Sequence, residues 1–180
     1  LTAVEISQLG DGRIDVSAIQ TDTAGNTSAP STTFFDLDAT DPTITYVAVD
    51  AGIFRTGQTT NFFVTFSENV AVYTTSGTPT LDFVNGSTTL NAIFASGSGT
   101  NQMRFAYTLD GTEANDTDGI ELNGFTLNAG TIEDVSGNAA ALVLPVSTVG
   151  TATTFIMTSL VTASLSIQPN SVDATTGSPT

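Results

Sequence analysis

TNFFVTF, residues 60–66, sets three phenylalanines and a valine among threonine and asparagine. β-Branched and aromatic side chains suit a pleated, half-buried surface, and the order Val64-Thr65-Phe66 alternates apolar with polar as a strand does. Working outward, 44–49, 80–84, 88–94, 102–109, 120–127 and 141–146 have the same character. Turn-forming clusters such as NGST at 85–88 and SGSGTN at 96–101 separate them. Nowhere do apolar residues hold an i, i+3, i+4, i+7 spacing for three helical turns. Short strands punctuated in this way predict an all-β fold, an antiparallel β-sandwich, with Phe63, Phe66, Phe83, Phe94, Phe105 and Phe125 in its core.

Composition narrows the chemistry. Of 180 residues 39% are apolar, enough for a packed core, and only 12% are charged. Eighteen acids against three arginines and no lysine give a formal charge of −15. Such a surface repels nucleic acid and anionic lipid, so neither is expected as a partner, and cations are favoured. Without cysteine there is no disulfide, thiolate metal site or Cys nucleophile, and without histidine the commonest general base and zinc ligand are missing. No run of about 18 apolar residues suggests membrane insertion. Leu1 opens without a charged-then-apolar leader, so the chain reads as a segment of something larger.

Before residue 38 the strand signals are three: 3–6, 13–20 and 32–37. Three strands hardly close a sandwich. Residues 1–37 are therefore expected to be the C-terminal strands of a preceding module, 38–150 a complete sandwich, and 151–180 the β-rich start of a following module or an exchanged strand. Two echoes point the same way. DTAGN at 22–26 recurs as DVSGN at 134–138, and LDATDPT at 37–43 recurs loosely as VDATTGSPT at 172–180.

GDGRIDVSAIQTDTAGNTSAPS, residues 10–31, resembles the closing strands of bacterial Ig-like repeats, which carry a D-x-A-G-N turn followed by S-x-P. DPTIT, VTFSENV, GSGTNQMRFAYTL, NDTDGIEL and LNAGTIEDVSGNAA, within residues 41–146, resemble the longer Ig-like tandem repeats of giant bacterial surface proteins and adhesins, including a cyanobacterial cell-surface motility protein. The resemblance implies tandem Ig-like modules in an extracellular, cell-surface stalk or adhesin, stabilised by calcium and without catalysis.

In an Ig-like sandwich the incoming linker, the loop after the second strand and the loop before the last strand share one pole. That places Asp36, Asp38 and Asp41 with Glu68, Asp134 and Asn138. Carboxylates about 4 Å apart repel by roughly 1 kcal/mol in water and about 4 kcal/mol at an effective dielectric of 20. No lysine offsets them, so a hard divalent ion is the expected companion. Ca²⁺ takes six to eight oxygens in irregular geometry, which suits ligands from separate loops better than the strict octahedron of Mg²⁺ does. A second, weaker site is expected in DGTEANDTDG, 110–119, where Asp116, Asp118 and Gly119 have D-x-D-G spacing, aided by Asp110 or Asp50. The bland readings are solvated acidic loops and turns that need no metal. Asn26, Asn85 and Asn115 begin N-x-S/T triplets, read as accidental.

The functional expectation is a non-catalytic structural repeat of a stalk, adhesin or filament, stiffened by calcium at module junctions. Its partners would be neighbouring Ig-like modules, or identical subunits through strand donation. The alternative is a carbohydrate-binding or other ligand-binding β-sandwich module, which calls for an exposed threonine ladder or paired exposed aromatics. Paired acids such as Asp116 and Asp118 could in principle serve glycoside chemistry, but no cleft is foreseen. A Lys-Asn isopeptide crosslink is excluded by the lack of lysine.

Overall fold

A computed structural model describes residues 9–52, 54–113 and 120–145. Nine strands form among the described residues: β1 (Gly12–Ala18), β2 (Ser31–Leu37), β3 (Ile44–Val49), β4 (Thr59–Tyr73), β5 (Thr80–Asn85), β6 (Thr88–Ser96), β7 (Thr100–Thr108), β8 (Glu121–Thr126) and β9 (Thr131–Glu133). The described elements are all strands, and all their ladders are antiparallel. The expected strands at 3–6 and 153–167 lie outside the described residues. No helix among those described is long and apolar enough to cross a membrane.

β1 and β2 pair with each other in a two-stranded ladder. The other seven form one sheet in the order β3-β4-β7-β6-β5-β8, with β9 added to β4. Neighbouring strands lie about 4.8 Å apart, so strands three places apart in a flat sheet stand about 14 Å from each other. Yet Phe62 of β4 meets Phe83 of β5 with ring centroids 4.9 Å apart, and Phe105 of β7 meets Phe125 of β8 at 5.6 Å. Both pairs are three places apart. The sheet must therefore curl over its own apolar face in a sandwich-like manner, closing on Val47, Val64, Leu81 and Met103 as well.

The core differs from the expected set in one register. Phe62 is fully buried, whereas Phe63 is only half-buried and points to the other face. With two phenylalanines in succession, the strand period of 2 decides which is inside, and Thr60, Phe62, Val64 and Phe66 form the inward row. Phe66, Phe83 and Phe105 are buried as expected, and Phe94 and Phe125 pack half-buried against them.

β4 runs past its expected end at residue 66 to Tyr73, because it changes partners midway. Its pairing with β7 is regular from Thr59 to Thr65, breaks, and resumes at Val70. Beyond the break, Ala71–Tyr73 pairs with β9 instead. Ser67, Glu68 and Asn69 occupy the break, which is the kind of irregularity that lets one strand serve two surfaces. The expected strand at 141–146 does not form over the described residues 141–145. Ala141 makes a single parallel bridge to Thr43, and Pro145, lacking an N–H, cannot extend a ladder there.

Candidate cation-binding joint

The linker between β2 and β3, residues 38–43, is held from two sides. On one side Asp11, just ahead of β1, accepts a hydrogen bond from the backbone N–H of Ala39 at 2.8 Å and another from the Thr40 hydroxyl. On the other, Ser136 Oγ donates to Asp38 Oδ2 at 3.0 Å, and Asn138 Nδ2 approaches the Asp38 backbone and side-chain oxygens at 3.3 and 3.5 Å. Further along, Ala141 N donates to Pro42 O, while Thr43 and Ser67 exchange two hydrogen bonds. The linker is therefore pinned at almost every residue between the β1–β2 hairpin and the curled sheet.

Asp134 opens the D-x-x-G-N turn, and its own loop explains its position. Oδ1 accepts from the backbone N–H groups of Ser136 and Asn138 at 2.7 and 2.9 Å, and Oδ2 from Asn138 Nδ2 at 2.7 Å. Gly137 takes φ 91° to close the turn, a conformation costly for any residue with a Cβ. Asp134 is only 2% exposed. Burial opposes its ionisation, but the Asn138 amide and the backbone N–H groups of Asn138, Ser136 and Gly137 outweigh it and hold the carboxyl below the usual carboxylate range.

Glu68 comes from the break in β4. Burial, and then the charges of Asp38, Asp134 and Asp11, push its carboxyl above the ordinary glutamate value. One carboxylate oxygen from each of Asp38, Glu68 and Asp134 lies within 4.8 Å of the others. Of the residues expected at this pole, the structure thus brings together Asp38, Glu68 and Asp134, with Asn138 hydrogen-bonded to two of them. Asp36 and Asp41 are not in the group: Asp36 sits exposed in β2 opposite Arg13 of β1, and Asp41 is exposed in the linker. Asp36 belongs to the β1–β2 ladder, across from Arg13, whereas Asp38 lies past the end of β2 in the linker.

The donor set fits a hard divalent cation. Three carboxylates converge, one of them nearly buried and one strained by its neighbours, and the only ion pair among the described residues, Arg13–Asp15, lies elsewhere. Asp11 is the contributor that sequence reading missed. Its signal was GDG at 10–12, an acid between two glycines, in the gap between the strands expected at 3–6 and 13–20 and not counted as part of the joint.

Asp116 and Asp118 lie outside the described residues. Of their expected helpers, Asp50 accepts from the backbone and side-chain nitrogens of Asn61, and Asp110 from the backbone and hydroxyl of Thr112. Glu113 accepts from Tyr107 Oη at 2.7 Å and from the backbone of Asp110 and Gly111. Each of these described acids is engaged in shaping its own loop. Asn85 is fully buried, and Asn26 is exposed and bound to Asp22.

No known protein family matches the chain, and no curated protein or solved structure is similar to it.

Proposed function

We propose that the chain is a non-catalytic structural repeat, in which a calcium ion held by Asp38, Glu68 and Asp134 locks the linker between two Ig-like modules. The observation that carries this reading is the convergence of three carboxylates from three separate segments, one of them the linker itself. The carbonyl oxygen of Asp38 is a further oxygen donor near to hand, while Asn138 turns its Nδ2 donor toward the carboxylates and orients them. Extracellular modules bind calcium with dissociation constants of about 10⁻⁴ to 10⁻³ M. At ten times that constant one site stabilises the fold by roughly 1.4 kcal/mol. The larger effect is mechanical, because an ion bound by both linker and sheet removes their relative freedom. The β1–β2 hairpin, with Phe34 53% and Phe35 41% exposed, is on this reading the closing hairpin of a neighbouring Ig-like module. An array of such modules suits an extracellular, cell-surface stalk, adhesin or filament.

Small-angle scattering of the chain with calcium and with chelator tests the joint. The reading expects a larger maximum dimension and a narrower distribution of shapes in calcium; identical profiles contradict it.

A second reading, carbohydrate binding, has one observation in its favour. Arg13, Asp15, Thr32, Thr33 and Phe34 line a shallow cleft on the hairpin. The Arg13 guanidinium already covers one face of the Phe34 ring at 4.0 Å, which weakens its use as a sugar platform. Glycan binding abolished by Phe34→Ala would favour this reading over the first.

A further inference from the structure

We infer that Thr60 and Asn85 together form a buried binding site for one ordered water molecule, which bridges β4 to β5 at one end of the core.

Both side chains are fully buried, and both belong to inward rows that are otherwise apolar: Thr60 with Phe62, Val64 and Phe66, Asn85 with Leu81 and Phe83. Among the described residues, Thr60 Oγ1 and both amide atoms of Asn85 have no hydrogen-bond partner. Buried polar groups are nearly always satisfied, by protein or by ordered water, because an unmet donor or acceptor forfeits the hydration it had in the unfolded chain.

Register brings the two residues to the same end. β4, β7, β6 and β5 are successive antiparallel neighbours, so β4 and β5 run in opposite directions. Phe62 and Phe83 meet ring to ring. The next inward positions toward one common end are Thr60, just before Phe62 on β4, and Asn85, just after Phe83 on β5. Tyr107 supports this placement independently, because it pairs with Thr60 in the β4–β7 ladder while its ring packs edge-on against Phe83 at 5.2 Å. Leu109 and Ile120, both buried, belong to the same end: one follows Thr108, the partner of Thr59, and the other precedes Glu121, the partner of Val84. The polar pair is thus set among apolar walls.

Size and chemistry select the ligand. Threonine and asparagine are far smaller than the two phenylalanines that span the gap one layer away, and no direct hydrogen bond joins them. A water bridges a separation of this kind. The donor set is mixed, since Asn85 brings an amide N–H donor and a carbonyl acceptor and Thr60 a hydroxyl that does either. A metal ion would face the amide N–H, and an anion the amide oxygen; water both donates and accepts. The neighbouring Tyr107 hydroxyl is already given to Glu113. One water cannot serve every position of the amide, so leucine at residue 85 still gains by burying methyl groups in its place.

The inference does not need the cation. Urea denaturation of the parent chain, Thr60→Val, Asn85→Leu and the double variant, with a high-resolution crystal structure of the parent, tests it. Where the water is shared, Thr60→Val in the parent deprives the amide of its bridge and lowers the folding constant about fivefold. In Asn85→Leu, where the hydroxyl has already lost that bridge, the same change should raise the constant by a similar factor. The crystal structure is expected to show one water within about 3 Å of Thr60 Oγ1 and of an Asn85 amide atom. An equal effect of Thr60→Val in both backgrounds overturns the inference. So does a crystal structure in which Thr60 and Asn85 bond to each other directly, or in which no water lies between them.

Discussion

At the residue scale, Asp134 is the hub of its turn and Glu68 the group under electrostatic strain. Asp134→Ala removes the acceptor for two backbone N–H groups and one amide at the part-buried base of an otherwise exposed turn. A loss of about 2 kcal/mol is expected by urea denaturation. Asp22→Ala in the exposed DTAGN turn at 22–26 should cost less, because water replaces the lost acceptor. Glu68 gives the opposite signature. Its folded value is raised, so the folded state holds more protons than the unfolded one just above the ordinary glutamate range, and stability falls as pH rises through that window. Asp134, held low, acts in the other sense: its contribution is complete above the unfolded value and is lost as pH falls through the folded one. Glu68→Gln should therefore raise the melting temperature of the metal-free chain at neutral pH and flatten the Glu68 part of the profile. At a pH within that window, calcium binding should release protons from Glu68, measurable as a buffer-dependent heat. Asn85 offers a further case, since both its amide atoms are buried without a hydrogen-bond partner among the described residues. Asn85→Leu, which keeps the branched shape with methyl groups in place of the amide atoms, is expected to stabilise the chain by about 1 kcal/mol in the same denaturation assay.

At the element scale, β4 shows what sequence pattern can and cannot reveal. Aromatic and β-branched composition marked it as a strand, and 44–49 matched β3 end to end. Its continuation through FSENV was hidden because Ser67, Glu68 and Asn69 are poor strand formers, kept extended here by Thr43 on one side and by β9 beyond the break. β9 was invisible for a related reason: three residues with one buried isoleucine carry no periodicity to read. The turn before it holds Asn128 at φ 52° and Ala129 at φ 66°, bonded from Gly130 N to Leu127 O. Alanine is strained in that region by about 1–2 kcal/mol. Set against the added freedom that glycine brings to the unfolded chain, Ala129→Gly should gain about 0.5 kcal/mol, read as a small rise in the urea midpoint at unchanged slope.

At the scale of the whole molecule, the sheet's closure and the pinned linker are one argument. Curling brings the break in β4, the turn after β9 and the linker before β3 to a common place, so acids far apart in sequence become neighbours. Asp38, Glu68 and Asp134 could be grouped from strand order alone, since that grouping needs only the loops that share an end. Asp36 and Asp41 could not be excluded, because side-chain direction depends on register, and Asp11 could not be added without knowing how the hairpin meets the linker. The central claim is that these carboxylates take up a divalent ion. Isothermal titration of the metal-free chain with calcium, beside Glu68→Gln, tests it most directly. The account predicts one-site binding with a dissociation constant of about 10⁻⁴ to 10⁻³ M, lost in the variant. No saturable heat in the parent chain, or the same isotherm in Glu68→Gln, would contradict it.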